Sequence, residues 1–72
     1  MLRAASEPLN QVELQSIYGL LAWVAYEQDV RQDVAQMVLE AEFGVNDVGD
    51  LRAAEYDAAV RYLLNLHFGK VH

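Results

Sequence analysis

The sequence predicts an all-α domain of three antiparallel helices, over residues 10–27, 30–43 and 52–68. Apolar residues recur at the three- and four-residue spacing of a helical face, helix-capping signals precede these stretches, and no alternating strand pattern occurs. With 72 residues, 54% of them apolar, the chain has the composition of one compact domain. We expect residues 9–69 to form this domain, residues 1–8 to be a flexible N-terminal segment, and residues 70–72 to be a C-terminal tail.

The first helix has a clear start, because Asn10 is followed three residues later by Glu13, which is the pattern of a capping box. Leu9 before the cap and Leu14 after it are placed to form a hydrophobic staple. One helical face then consists of Leu14, Ile17, Tyr18, Leu21, Val24 and Ala25. Three further residues widen that face: Leu20, Trp23 and Tyr26. We therefore expect this helix to be buried on more than one side and to form the centre of the fold.

The second helix carries its own stripe, formed by Val30, Val34, Met37, Val38 and Ala41. Asp29 with Gln32 resembles another capping box, and Gly44 suits a left-handed C-cap from which Val45 folds back on the last turn. The join to the first helix admits two interpretations. Residues 26–30 contain neither glycine nor proline, so residues 10–43 can form one continuous helix, which would require oligomerisation. We favour a break near residues 28–29, because the cap signal falls there.

The third helix follows the one clear loop, residues 44–50, which contains two glycines, an asparagine and two aspartates. Asp50 is the expected N-cap, and Gly69 can close the helix. Its stripe is Tyr56, Ala59, Val60, Leu63, Leu66 and His67. His67 and Lys70 would place positive charge at its C-terminal end, where the helix dipole favours it.

The net negative charge of the chain argues against direct binding to nucleic acid. Eleven acidic against five scattered basic residues give a net charge of -6, which disfavours direct binding to nucleic acid, because phosphate contacts supply most of that affinity. The longest mostly apolar run, residues 17–26, is about half as long as a membrane span requires. The chain has no cysteine, so nothing indicates an oxidising compartment, and a cytoplasmic location without a membrane is expected.

Few residues could support catalysis or bind a metal ion. There is no cysteine or threonine, the only serines are Ser6 and Ser16, and the two histidines, His67 and His72, lie near the C-terminus. Residues from Asn46 onward do not match the ligand spacing of a calcium loop. We therefore expect a protein that is not an enzyme, with no catalytic residue, metal site or cofactor.

The aromatic residues favour a protein interface. Seven of them occur in a chain whose three helices are too short to enclose them all, and aromatic anchors are typical of interface cores. The interface candidates are Leu20, Trp23, Val24, Tyr26, Val34, Met37 and Tyr62. For Trp23 and Tyr62 the core and the interface interpretations carry equal weight, whereas Tyr56 and Phe43 are expected in the core.

Residues 42–56 contain EFGV, a short polar loop, DL and AEY. This order resembles small helical modules at the ends of some phage and plasmid recombination proteins, and the resemblance implies a mobile-element origin. It covers about a fifth of the chain. Arg52 stands where those modules usually have a threonine or serine cap, and the first two helices are longer than theirs, so the chain is not assigned to that group.

Two functions follow as expectations. The first is a small, acidic, non-enzymatic protein-interaction module, which binds a protein partner as a homodimer or as a subunit or adaptor of a larger assembly. The alternative is a phage- or plasmid-type regulator of nucleic-acid machinery, which presents carboxylates as a phosphate mimic. The acidic candidates for that role are Glu40, Glu42, Asp47, Asp50, Glu55 and Asp57.

Overall fold

The computed structural model describes residues 6–69, and within that range the chain forms three α-helices and no strand. They are α1 (Gln11–Gln28), α2 (Gln32–Phe43) and α3 (Tyr56–Leu64). Two short 3₁₀ turns, Val48–Asp50 and Ala53–Glu55, connect α2 to α3. The predicted all-α, three-helix class is confirmed.

The first helix starts as its sequence predicts. The side-chain oxygen of Asn10 accepts the backbone N–H of Glu13 at 2.8 Å, and the Glu13 carboxylate accepts the backbone N–H of Asn10 at 3.0 Å. This reciprocal pair satisfies two of the N–H groups that would otherwise lack a partner at the start of α1. The capping box is confirmed.

The chain leaves α1 at Asp29, which adopts the left-handed conformation with φ 56°. The backbone N–H of Val30 bonds to the carbonyl of Ala25 at 3.0 Å, which is the pattern of a Schellman motif. Asp29 is thus the C-cap of α1 and not the N-cap of α2. The favoured break is present, but the predicted second capping box is wrong, because Arg31 occupies the N-cap position of α2 without a side-chain cap.

Helix α2 also ends in a Schellman motif. Gly44 has φ 66°, and the N–H of Val45 bonds to the carbonyl of Glu40 at 3.0 Å. Val45 is half-buried and packs against the core. Both features were predicted from the glycine and the following apolar residue.

The third helix is shorter than predicted at both ends. The predicted N-cap, Asp50, is wrong, because Asp50 lies inside a 3₁₀ turn and the N-cap position of α3 is Glu55, without a side-chain cap. Asp47 caps that 3₁₀ turn, since its carboxylate accepts the backbone N–H of Gly49 at 2.8 Å. Helix α3 begins only at Tyr56 and ends at Leu64. The predicted bounds of 52–68 are therefore wrong. Gly69 does have a positive φ, of 64°, but it lies five residues beyond the helix.

The core combines all three helices with the loop between α2 and α3, and the part of the chain that the structure describes buries no polar or charged side chain. The buried residues are Ile17, Leu21, Val24, Ala25, Ala35, Leu39, Val48, Leu51, Ala59 and Leu63. Phe43 and Tyr56 pack against them, as predicted. Over residues 6–69, no helix is both long enough and apolar enough to cross a bilayer.

The segment before α1 is hydrogen-bonded to the connection between α2 and α3. The backbone N–H of Ala53 donates to the carbonyl of Glu7 at 2.7 Å, and Pro8 forms an antiparallel bridge with Arg52. Residues 1–5 of the predicted flexible segment and the predicted tail, residues 70–72, which include Lys70 and His72, lie outside the described residues.

Candidate protein-binding surface

The side of α1 that faces away from the core is apolar. Val12 is 71% exposed, Trp23 48% and Tyr26 83%, and the small residues Gly19 and Ala22 lie between them, exposed as well. At 100° per residue, positions 12, 19, 23 and 26 fall within an arc of about 60° around the helix axis. We call these residues, with the half-buried Ser16, the outer face of α1.

The inner face of the same helix lies on the opposite side. Ile17, Leu21 and Val24 are centred about 160° from the outer face and are buried in the core. A surface helix normally has one apolar and one polar side. Because α1 is apolar on both sides, the fold of a single chain leaves part of its apolar surface exposed.

The outer face is also free of charge. No charged residue occurs from Leu14 to Tyr26, and Glu13, at the start of the helix, is held in the capping box. Polar character on this side comes from uncharged groups such as Gln15 and Ser16, and the Ser16 hydroxyl donates to the carbonyl of Val12 at 2.9 Å. The Ser16 hydroxyl is therefore engaged within the helix.

A second, smaller apolar patch lies on α2. Val34 is exposed and Met37 is 64% exposed, on the side of α2 away from the buried Ala35 and Leu39. Charges surround this patch. Arg31 pairs with Asp33 beside Val34, and this ion pair lowers the pKa of the Asp33 carboxyl.

The remaining interface candidates face inward. Val24 belongs to the core, so its assignment to a surface is corrected. Leu20 is half-buried against the core. Tyr62 is half-buried and meets Phe43 edge to face, with ring centroids 6.2 Å apart and an interplanar angle of 86°. Burial, together with the nearby charge of Glu42, raises the pKa of the Tyr62 hydroxyl.

Three of the six acidic candidates are engaged locally. The Glu40 carboxylate accepts the side-chain amide of Gln36 at 3.0 Å, and Glu55 accepts the backbone N–H of Arg52 at 2.8 Å. Asp47 caps its 3₁₀ turn. Glu42, Asp50 and Asp57 are exposed.

A groove borders the outer face of α1 at its C-terminal end. It runs between α1 and the chain that follows α3, and is lined in part by Trp23, Glu27, Leu64 and His67. The chain after α3 is held there by Gln28, whose side-chain amide donates to the carbonyl of Leu66 and accepts the backbone N–H of Phe68 at 2.8 Å. The sequence carried no signal for this role of Gln28.

His67 is exposed at the rim of this groove, three residues past the end of α3. The prediction that His67 belongs to the apolar stripe of the third helix, at its C-terminal end, is therefore wrong. Within residues 6–69, no group of three or more His, Asp or Glu residues is arranged to hold a metal ion. Comparison with protein-family models, with curated proteins and with solved structures finds no match for the chain.

Proposed function

We propose that this chain is a non-enzymatic protein-interaction module that docks through the outer face of α1. The observation that supports this most directly is that α1 is apolar on both sides, with Val12, Trp23 and Tyr26 exposed on the side away from the core. A helix of this kind is typical of a buried position, and a partner would provide that burial.

The chemistry of these residues suits a binding role. Tryptophan and tyrosine are enriched among the residues that contribute most to binding, because their large rings bury much area at a small cost in conformational entropy. Burying one large apolar side chain fully is worth about 1.5–3 kcal/mol. Trp23 and Tyr26 lie one turn apart, so one partner surface can contact both.

The acidic residues have a supporting role in this proposal. The net charge of -6 lies outside the stretch from Leu14 to Tyr26, and would keep the free chain soluble and steer a partner of opposite charge. The alternative of a phosphate-mimicking surface has less support, because Glu40, Asp47 and Glu55 are engaged in local hydrogen bonds. A cytoplasmic location is part of the proposal.

The test compares a double variant, Trp23→Ala with Tyr26→Ala, with a matched control on α2, Val34→Ala with Met37→Ala. Both pairs remove exposed apolar side chains. Circular dichroism checks that each variant is folded, and sedimentation velocity measures self-association. Binding to another protein is measured with the purified partner, after capture on the immobilised wild-type chain.

The proposal expects association that the control retains and the Trp23/Tyr26 variant loses, while both stay folded. Two results would contradict it. One is a wild-type chain that associates with nothing in either assay. The other is a folded Trp23/Tyr26 variant that binds as tightly as the wild type.

A further inference from the structure

We infer that the partner of this chain is a protein with a basic and apolar segment, and that one arginine of this segment binds in the groove between α1 and the chain after α3. Its guanidinium group stacks on Trp23 and pairs with the carboxylate of Glu27. This inference rests on the proposed function and names the chemistry of the partner. It is supported by the apolar walls of the groove, by its charge and by the spacing of these two residues.

The walls of the groove are apolar and come from two helices. Its volume is about 640 Å³, which is in the usual range of binding pockets. Trp23 lines it from α1, and Leu63 and Leu64 line it from α3. Leu66 continues the wall, in the segment whose backbone is held by the two hydrogen bonds of Gln28. The free chain therefore already has the shape that receives a long side chain.

The charge of the groove is negative. Glu27 and Asp29 line it, and within residues 6–69 no lysine or arginine does. His67, the other ionisable residue of the lining, is counted as neutral at pH 7. The C-terminal end of a helix carries a partial negative charge, which favours a basic side chain in the last turn. The last turn of α1 has no basic residue and contains Glu27 instead. A cation from a partner complements this end of α1.

The spacing of Trp23 and Glu27 suits arginine. They are four positions apart on α1, so their side chains are neighbours on one side of the helix, and both are exposed. The planar guanidinium group of an arginine can stack on an aromatic ring and bind a carboxylate through two parallel hydrogen bonds. Tryptophan is the aromatic residue that attracts cations most strongly. Lysine, whose ammonium group is compact and strongly hydrated, matches this pair less well.

The remainder of the chain favours the same class of partner. The net charge of -6 attracts a basic protein, whereas it repels nucleic acid, an anionic membrane and a second copy of the chain. Trp23 belongs both to the groove and to the outer face of α1. A segment whose arginine binds in the groove can therefore place its apolar residues on the outer face.

Two peptides test the inference. The first is acetyl-Leu-Ala-Arg-Leu-Ala-amide, and the second has citrulline, which is similar in shape to arginine but uncharged, at the arginine position. Fluorescence of Trp23, the only tryptophan, measures binding, and NMR shifts of the Leu64 and Leu66 amides locate it. We expect the arginine peptide to bind at least about tenfold more tightly than the citrulline peptide. Raising NaCl from about 50 to 500 mM should weaken binding of the arginine peptide alone.

A matched pair of variants assigns the preference to one carboxylate. Glu27→Gln should reduce the preference for arginine to about twofold or less, because it removes the group that pairs with the guanidinium. Glu42→Gln is the control. Glu42 is also exposed in the last turn of its helix and the substitution removes the same charge, but Glu42 does not line this groove. This variant should keep the full preference. Circular dichroism checks that both variants are folded.

Failure of this inference is distinguishable from failure of the proposed function. The inference is overturned by an arginine peptide that does not bind at concentrations up to about 5 mM, by a citrulline peptide that binds as tightly, or by equal effects of the two glutamine variants. Self-association that accounts for all binding by the chain also overturns it. The proposed function survives each of these results if association with a protein still depends on Trp23 and Tyr26. It fails if no such association depends on them.

Discussion

The side-chain carbonyl of Gln28 accepts the backbone N–H of Phe68, in the segment after α3, at 2.8 Å. The NH₂ group of the same side chain donates to the backbone carbonyl of Leu66. One side chain at the end of α1 therefore makes two hydrogen bonds to the backbone of this segment. Side-chain burial alternates along this segment. Leu66 and Phe68 are half-buried, whereas His67 and Gly69 are exposed.

Gln28→Ala should lower the free energy of unfolding by about 1–2 kcal/mol, because it removes two partly buried hydrogen bonds. Urea denaturation measures this loss, and hydrogen exchange should show that the amide of Phe68 loses its protection. Gln32→Ala, at an exposed position in the first turn of α2, is the control and should change stability by less than about 0.5 kcal/mol. An unchanged exchange rate at Phe68 in the Gln28 variant would contradict this assignment.

Asn10→Ala should cost about 1 kcal/mol of stability, because it removes the side chain that accepts the N–H of Glu13 at 2.8 Å. Asn10→Asp keeps an acceptor at the same place and should retain most of the stability. Thermal or urea unfolding of both variants checks this prediction. An alanine variant as stable as the wild type would show that the cap contributes little.

The same substitution should have opposite effects at two glycines. Gly19→Ala should stabilise the monomer by up to about 1 kcal/mol, since alanine is the better helix former and its Cβ has open space. Gly44→Ala should destabilise the chain by about 1 kcal/mol or more, because φ at this residue is 66°. Urea unfolding at a protein concentration low enough to keep the chain monomeric measures both. A stabilising effect at Gly44 would mean that α2 does not end in the left-handed conformation.

Stability should fall at alkaline pH because of two tyrosines. Burial raises the pKa of Tyr18, with smaller contributions from the charges of Asp47 and Glu40, and burial and Glu42 raise the pKa of Tyr62. Each folded-state pKa lies above its unfolded value of 10.0, so the stabilisation is complete below about pH 10 and is lost as the pH rises through the folded-state values.

Urea unfolding at a series of pH values from about 8 to 11, with phenolate absorbance as a second measurement, tests this dependence. Tyr18→Phe and Tyr62→Phe should each flatten the alkaline decline, because each removes one ionisable group. A decline of the same steepness in the double phenylalanine variant would assign it to other groups.

The sequence was most informative at the start of α1 and at the end of α2. The residues that define them are close together in the chain: Asn10 with Glu13, and Gly44 with Val45. Local hydrogen bonding therefore fixes these ends, and no knowledge of the tertiary structure is needed. Trp23 and Tyr26 are exposed in the structure.

The third helix was mispredicted for reasons that depend on tertiary structure. Asp47 and Asp50 are both good capping residues, and the structure uses Asp47, at the start of a 3₁₀ turn from which Val48 and Leu51 are buried in the core. After Leu64, Leu66 fits the predicted helical stripe, but the segment is not helical and the distant Gln28 hydrogen-bonds to the backbone of Leu66 and Phe68. A contact between residues 40 positions apart has no local signature.

Trp23 is the only tryptophan in the chain, and it lines the groove beside the segment that Gln28 holds. Its half-exposed indole gives the protein a built-in fluorescent probe at this place. Emission should shift to shorter wavelength when a partner covers the outer face of α1, and to longer wavelength when the segment detaches and water reaches the ring. One optical signal from the unlabelled protein can thus distinguish the two events by the direction of the shift.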